Sequence, residues 1–83
     1  MLTSWNKDGY FPLNQLVVTP SDSVNFPDER PVYCNAAGNV ACVDKNGTVV
    51  VYTVTAGQFL PVQAMRVNAT NTTVAAGSLV QVW

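Results

Sequence analysis

Four consecutive β-branched and aromatic residues, Val-Val-Val-Tyr at 49–52, constrain the fold of this chain most strongly. Asn-Gly at 46–47 and Ala-Gly at 56–57 bound the run, which marks it as one strand between two turns. Side chains alternate between the two faces of a strand, so an unbroken apolar run makes both faces apolar. One internal core covers one face. The other face needs a second sheet or a second molecule, which favours a self-assembling β protein.

The composition points the same way. The chain has 83 residues, enough for one domain, and a domain of this size buries only about 60–65% of its unfolded surface. Two cysteines and no histidine exclude a four-ligand zinc site of the usual kind. Charged residues make up 11% of the chain, against about 25% in an ordinary soluble domain. A surface this poor in charge suggests that part of it is hidden in an assembly.

Charge and hydropathy exclude two classes of partner. The net charge is −1, and the four basic residues (Lys7, Arg30, Lys45 and Arg66) are scattered along the chain. They form no basic stripe for nucleic acid. No stretch approaches the roughly 18 apolar residues of a membrane span, and the first residues lack the order of a signal peptide. We therefore expect no nucleic-acid partner, no membrane partner and synthesis in a cytoplasm.

The expected fold is all-β, a small single-domain antiparallel β-sandwich or barrel. Glycine and proline recur throughout, and no window repeats apolar residues at helical spacing. Short strands separated by turns indicate the sandwich or barrel at 15–83. Residues 1–14 are expected to form an extended N-terminal arm. The expected strands lie at 15–19, 32–36, 40–44, 49–52, 59–62, 65–70 and 79–83.

Two hairpins are expected in the middle of the chain. The first joins 32–36 to 40–44 through Ala-Gly-Asn at 37–39. The second turns at 44–48, Asp-Lys-Asn-Gly-Thr, which fits a type I turn followed by a bulge at Gly47. In that register Val43 pairs with Val49 and Cys42 with Val50. Both faces of this second hairpin are then apolar.

Cys34 and Cys42 allow two interpretations. They face each other across the first hairpin only if 37–39 forms a three-residue loop, in which case they could form a cross-strand disulfide. The alternative is that both are small buried hydrophobic residues. We favour the second, because cytoplasmic proteins rarely hold disulfides and bridges between adjacent strands are strained.

No catalytic or metal-binding arrangement emerges. Ser-Asp-Ser at 21–23 offers a nucleophile beside a carboxylate, but no histidine is present to act as a base. These residues are better explained as turn caps. The carboxylates lack the spacing of a calcium loop, and Asp-Glu-Arg at 28–30 is expected to be a solvated loop. We expect no cofactor, no metal and no enzymatic activity.

The aromatic residues suggest an interface. Trp5 and Trp83 are near the two ends of the chain, where tryptophan more often anchors a terminus in a core or an interface than stacks on a sugar. The arm carries aromatic residues without the alternation of a strand, so we expect it to dock on something. The residues expected to contact other subunits or a capsid are Trp5, Tyr10, Phe11, Val50, Tyr52, Phe59 and Trp83.

Several motifs in a shared order resemble one family. They are Val-Thr-Pro-Ser-Asp-Ser at 18–23, Tyr33 followed by Ala-Ala-Gly-Asn-Val at 36–40, Ala-Gly-Gln-Phe-Leu-Pro-Val at 56–62, Arg-Val-Asn-Ala-Thr at 66–70 and the terminal Trp83. The chain resembles the capsid spike-base proteins, which are small virion proteins of tailed phages and gene transfer agents. It departs from them at 71–73, Asn-Thr-Thr, where the family has Gly-Thr-Thr.

The resemblance implies a non-enzymatic head decoration protein. It implies an all-β protein that assembles as a ring on the outer surface of the capsid, at vertices or capsomer centres. The implied partners are further copies of the chain, as a trimer or pentamer, the major capsid protein and a head fibre protein. The alternative hypothesis is a carbohydrate-binding adhesin or tail-fibre module that uses Trp5, Tyr10 and Trp83 as stacking platforms.

Overall fold

Seven short strands, and no helix, form the part of the chain that the structure describes, residues 13–83 of a computed structural model. All strand pairings are antiparallel. The all-β prediction is confirmed, and each expected strand overlaps an observed one. The strands are β1 (Gln15–Val17), β2 (Val32–Cys34), β3 (Gly38–Val43), β4 (Val49–Val54), β5 (Gln58–Phe59), β6 (Arg66–Asn68) and β7 (Leu79–Val82).

The strands form two sheets that pack against each other as a sandwich. The first sheet has the order β1-β7-β2-β5, and the second has the order β4-β3-β6. Val32 and Leu79 of the first sheet and Val40 and Val67 of the second all belong to one buried cluster. Apolar burial in this single core is the main term that stabilises the domain.

The hairpin of β3 and β4 has the expected turn and register. Val43 pairs with Val49 and Cys42 with Val50. The Gly47 amide donates to the Asp44 carbonyl over 3.0 Å, and Gly47 has φ of +83°, as the bulge requires. The Asp44 carboxylate accepts hydrogen bonds from the amides of Asn46 and Thr48, which explains why aspartate suits this position.

The predicted hairpin of 32–36 and 40–44 is wrong, because β2 and β3 belong to different sheets. Strand β7 takes one side of β2 and β5 takes the other, so β2 has no side left for β3. The chain crosses between the sheets after Cys34 and enters β3 at Gly38, which has φ of +152°. A side chain at Gly38 would lie 2.8 Å from Cγ1 of Val74, so the crossing needs glycine.

The two sides of the sandwich are closed differently. After β1 the chain passes from the first sheet to the second. The Val18 amide still donates to the Leu79 carbonyl of β7, whereas the Ser21 amide donates to the Val67 carbonyl of β6. Thus β1 and β6 lie on one side of the sandwich. On the other side, only residues 55–57 connect β4 to β5. We call these sides the β1 flank and the β4 flank.

Candidate assembly surface

The β4 flank presents an apolar edge strand. Among residues 13–83, only β3 pairs with β4. The three valines at 49–51 are 46%, 43% and 45% exposed. No charged residue occurs between Lys45 and Arg66. Soluble proteins usually protect exposed edges with charged residues, proline or bulges, and this edge carries no such protection along its length.

In the described part of the chain, the outer backbone groups of this edge pair with no other strand. Hydrogen bonds in an antiparallel pair alternate, and the Asp44 amide already bonds to the Thr48 carbonyl. The next residues of β4 that bond to β3 are therefore Val50 and Tyr52, which leaves the N–H and C=O groups of Val49 and Val51 directed away from β3. The edge thus combines outward backbone groups with apolar side chains.

The apolar character of both hairpin faces has different consequences in the two strands. In β3, Val40 and Cys42 join the core, and Ala41 and Val43 on the opposite face are also fully buried. In β4, by contrast, all three valines at 49–51 remain partly exposed, and Tyr52 packs half-buried against the core. The unsatisfied apolar surface that the sequence indicated is therefore confined to β4.

Phe59 adds an aromatic ring to the same flank. It lies on β5, is 42% exposed, and meets Tyr33 edge to face with ring centroids 5.0 Å apart. The neighbouring Val62 is also exposed. Of the predicted interface residues, Val50, Tyr52 and Phe59 thus share the β4 flank. Their role as an interface stays a prediction.

The β1 flank carries a second apolar edge, which sequence reasoning missed. Leu16 and Val17 of β1 are more than half exposed, as are Leu13 before it and Val24 after it. Strand β7 is the one described strand that pairs with β1. The signal was present, since residues 13–21 carry no charge and contain Leu-Val-Val at 16–18. Each flank of the sandwich therefore contains one uncharged, exposed edge strand, β1 on one side and β4 on the other.

Trp83 lies apart from the β4 flank and is engaged within the chain. Its carbonyl accepts hydrogen bonds from the amides of Leu13 and Asn14, beside β1. The Arg30 guanidinium carbon lies 3.5 Å from the centroid of a Trp83 ring, and Arg30 Nη1 donates to Oε1 of Gln81 over 2.9 Å. Trp83 is half-buried and anchors the end of the chain, as expected of a terminal tryptophan.

The expectation that residues 28–30 form a solvated loop is wrong for Arg30. This side chain is only 8% exposed, and its Nε has no hydrogen-bond partner within residues 13–83. Backbone hydrogen bonds in both directions pair Arg30 with Ala64. Arg30 also alternates with the buried Val32 and Cys34. Its direction toward the interior was therefore predictable from strand alternation.

Cys34 and Cys42 are free thiols buried in the core, as the favoured interpretation expected, although the two strands are not a hairpin. Burial raises the pKa of Cys42 to about 11, with smaller contributions from the Asp44 charge and from Cys34. Burial also raises the pKa of Cys34. Both thiols are held neutral and act as small packing groups.

The turn at residues 21–23 is a structural element. Ser21 Oγ accepts hydrogen bonds from the amides of Ser23 and Val24, so the predicted capping is confirmed. The Asp22 carboxylate accepts from the amide and the hydroxyl of Thr70 over 2.9 and 2.7 Å. These bonds lower the pKa of Asp22. The turn is therefore joined by hydrogen bonds to the loop that follows β6.

Other kinds of site have little support in the described residues. Residues 13–83 contain no group of three or more His, Cys, Asp or Glu side chains that could hold a metal ion. In the same range, no helix has the length and apolar character needed to cross a membrane. The predicted interface residues Trp5, Tyr10 and Phe11 lie outside the described residues.

Comparisons with known proteins find a related chain in a solved capsid structure. No model of a protein family matches it, and no curated protein matches it. A solved chain described as part of the capsid of a native GTA particle, computed with C5 symmetry, is 34% identical with a TM-score of 0.75. The similarity covers 87% of this chain and 83% of that chain. GTA denotes a gene transfer agent, a phage-like particle. The chain therefore belongs to the same family as this capsid-particle chain and is a phage-like virion protein.

Proposed function

We propose that the protein is a non-enzymatic capsid decoration or spike-base protein, which oligomerises on the outer surface of a tailed-phage head. The observation that carries the proposal is the likeness to the GTA capsid chain, at 34% identity over most of both chains. As a spike base, the assembled protein would also offer an attachment site for a head fibre.

The surface of the described domain supports self-assembly. Uncharged, exposed edge strands on both flanks would favour contacts between copies of the chain. A symmetric ring on the capsid would cover them in every copy at once. The proposed partners are thus other copies of the chain and the major capsid protein. A trimer or a pentamer would each satisfy this geometry.

The rival function, a carbohydrate-binding adhesin, gains less support. A stacking platform needs an open aromatic face for a sugar ring. In this structure the Arg30 guanidinium covers one face of Trp83, and the Trp83 carbonyl is tied to Leu13 and Asn14. Trp83 is therefore better suited to fix the terminus than to bind sugar.

Reconstitution on capsids tests the proposal. Particles that lack this protein, produced after deletion of its gene, would be mixed with the purified protein. The mixture would then be sedimented and imaged by electron microscopy. We expect the protein to sediment with the particles and to add density on the outside of the head at symmetry-related positions. Density on the tail, density inside the head, or protein that stays in the supernatant would contradict the proposal. Bovine serum albumin in place of the protein controls for trapping.

A further inference from the structure

We propose that neighbouring copies join through a heterologous seam, in which the edge of β4 in one copy pairs with the edge of β1 in the next. This inference rests on the proposed function, in which several copies assemble on the head. It assigns the two surfaces that meet, and so names the partner of each exposed flank as a second copy of this chain.

Both edge strands direct backbone groups away from their own sheet. On β4, the outward backbone groups belong to Val49 and Val51, as shown above. On β1, Asn14 and Trp83 exchange both of their backbone hydrogen bonds. By the same alternation, the backbone groups of Gln15 and Val17 point away from β7. Within residues 13–83, each edge therefore offers a row of donors and acceptors to a new strand.

Neither edge strand carries a charged residue. The β4 edge lies in the uncharged stretch between Lys45 and Arg66, and the β1 edge lies in residues 13–21, which carry no charge. Neither edge repels the other, and neither would bury an unpaired charge in the seam. Exposed valines on β4 and the exposed Leu16 and Val17 on β1 supply apolar surface on both sides.

The two edge strands lie on different sides of the subunit. Strand β1 lies on the flank with β6, and β4 lies on the opposite flank with β5. Two different surfaces on one subunit are what a head-to-tail contact requires, and such contacts form a ring when the rotation between neighbouring copies closes. An isologous β4 to β4 dimer would leave the β1 edge of both copies uncovered.

The size of the edges explains why a ring is needed. A stable interface uses roughly 20–30 residues on each side. The β4 strand has six residues and β1 has three, so the paired strands alone supply far fewer residues than that. In a closed ring each copy makes two such contacts, and a capsid beneath the ring holds the copies at high effective concentration. We therefore expect weak association in solution and tight association on the particle.

Cross-linking distinguishes the seam from other arrangements. Val50→Cys and Leu16→Cys would each be made in the full chain, whose own Cys34 and Cys42 are buried. After treatment with a short bis-maleimide on capsids, an equal mixture of the two variants should give a cross-linked dimer. The double variant should give a ladder that ends at the ring size. Each single variant alone, and the wild type, should stay monomeric on a denaturing gel.

The alternative outcomes are decisive. Dimers from Val50→Cys alone would establish an isologous contact and overturn the seam. Particles that carry the variants but give no cross-link between positions 50 and 16 would overturn the seam and leave the proposed function standing. Variants and wild type that all fail to bind particles would instead contradict the proposed function.

A charge placed on the edge gives a second test. Val51→Lys and Leu16→Lys should each raise the dissociation constant for self-association at least about tenfold, because an unpaired ammonium would be buried in the seam. Asn46→Lys at the exposed hairpin tip is the matched control and should leave it unchanged. Circular dichroism would verify that each variant is folded. Folded Val51→Lys and Leu16→Lys variants that associate like the wild type would overturn the proposal.

Discussion

The Arg30 guanidinium lies over the terminal Trp83, with its central carbon 3.5 Å from the ring centroid. The contact links the segment just before β2 to the residue just after β7, and these two strands are neighbours in the first sheet. Gln81 holds the guanidinium from the side through its Oε1. Because Arg30 is almost fully buried, its attraction to the ring is weakly screened by water.

A double-mutant cycle on this pair should show strong coupling. Arg30→Met and Trp83→Leu would be made singly and together, and unfolding would be followed in urea at one protein concentration. We expect a coupling free energy of about 1–2 kcal/mol, between the values for an exposed and for a desolvated cation–π contact, because Arg30 is buried and Trp83 is half-buried. Additive effects, with coupling below about 0.3 kcal/mol, would show that the contact contributes nothing to stability.

Gly38 should tolerate alanine poorly. A Cβ there would lie 2.8 Å from Val74 Cγ1 and 3.1 Å from its Cα, at a positive φ. We expect Gly38→Ala to lower the free energy of unfolding by about 2–4 kcal/mol, from strain and overpacking together. Gly77→Ala is the control, since φ there is +81° but no atom lies within 4 Å. It should cost about 1–2 kcal/mol. Equal losses at both positions would show that the contact with Val74 is unimportant.

The two thiols should behave as packing groups. A thiol reagent at pH 8 should label neither cysteine in the folded protein and both in urea, because burial holds the pKa of Cys42 at about 11. The double replacement Cys34→Ala and Cys42→Ala should cost about 1–3 kcal/mol through lost packing. Reductant should leave the Tm of the wild type unchanged. A clear fall in Tm with reductant would instead establish a structural disulfide.

The Cys42 pKa also gives a pH dependence. The folded value of about 11 lies above the usual 9.0, so the contribution of the buried thiol is complete below pH 9. It is lost as pH rises from 9 toward 11, because the unfolded state releases its proton first. Between those values, the wild type should lose stability more steeply than Cys42→Ala, as measured by urea unfolding. Parallel pH profiles of the two proteins would contradict this.

The hydrogen bonds from Thr70 to the Asp22 carboxylate should contribute less to stability in acid. Hydrogen bonds from Thr70 hold the pKa of Asp22 below its usual 3.8, so the folded state favours the ionised carboxylate. Its contribution is complete well above pH 3.8 and is lost as pH falls through 3.8 to the lower folded value. The difference in Tm between wild type and Asp22→Asn should therefore shrink between pH 6 and pH 3. A difference that stays constant over this range would contradict the assignment.

Sequence patterns located the strands and the second hairpin because alternation and turn chemistry are local. The Asp44 and Gly47 signals fixed a register that the structure reproduces. The link between β2 and β3 could not be decided in the same way. A short glycine-containing connection serves a hairpin or a crossing between sheets equally well, and the choice depends on β7 and β5 occupying both sides of β2. Those pairings are long-range and leave no local signal.

The candidate surface was partly predictable for the same reason. The apolar run at 49–52 indicated apolar surface that the core does not cover. Which strand of the hairpin exposes that surface depends on which one lies at the edge of its sheet, and here that strand is β4. Leu16 and Val17 were missed because a short strand looks alike in the middle and at the edge of a sheet. The burial of Arg30 follows from alternation with Val32 and Cys34, although its stacking on Trp83 joins residues 53 positions apart (83 − 30).

Removal of the N-terminal arm tests whether it docks outward, as the sequence predicts. The cut should fall after residue 12, because the amides of Leu13 and Asn14 bond to the Trp83 carbonyl and belong to the sandwich. If the aromatic residues of the arm contact a neighbouring copy or the capsid floor, the shortened protein should keep the Tm of the full chain. It should then bind capsids far more weakly in the sedimentation assay. The replacement of Trp5, Tyr10 and Phe11 by serine in the full chain is the matched variant, and it should have the same effect without shortening the chain. A shortened protein that unfolds would show that the arm closes over its own domain. A stable one that decorates capsids like the full chain would show that the arm takes no part in docking.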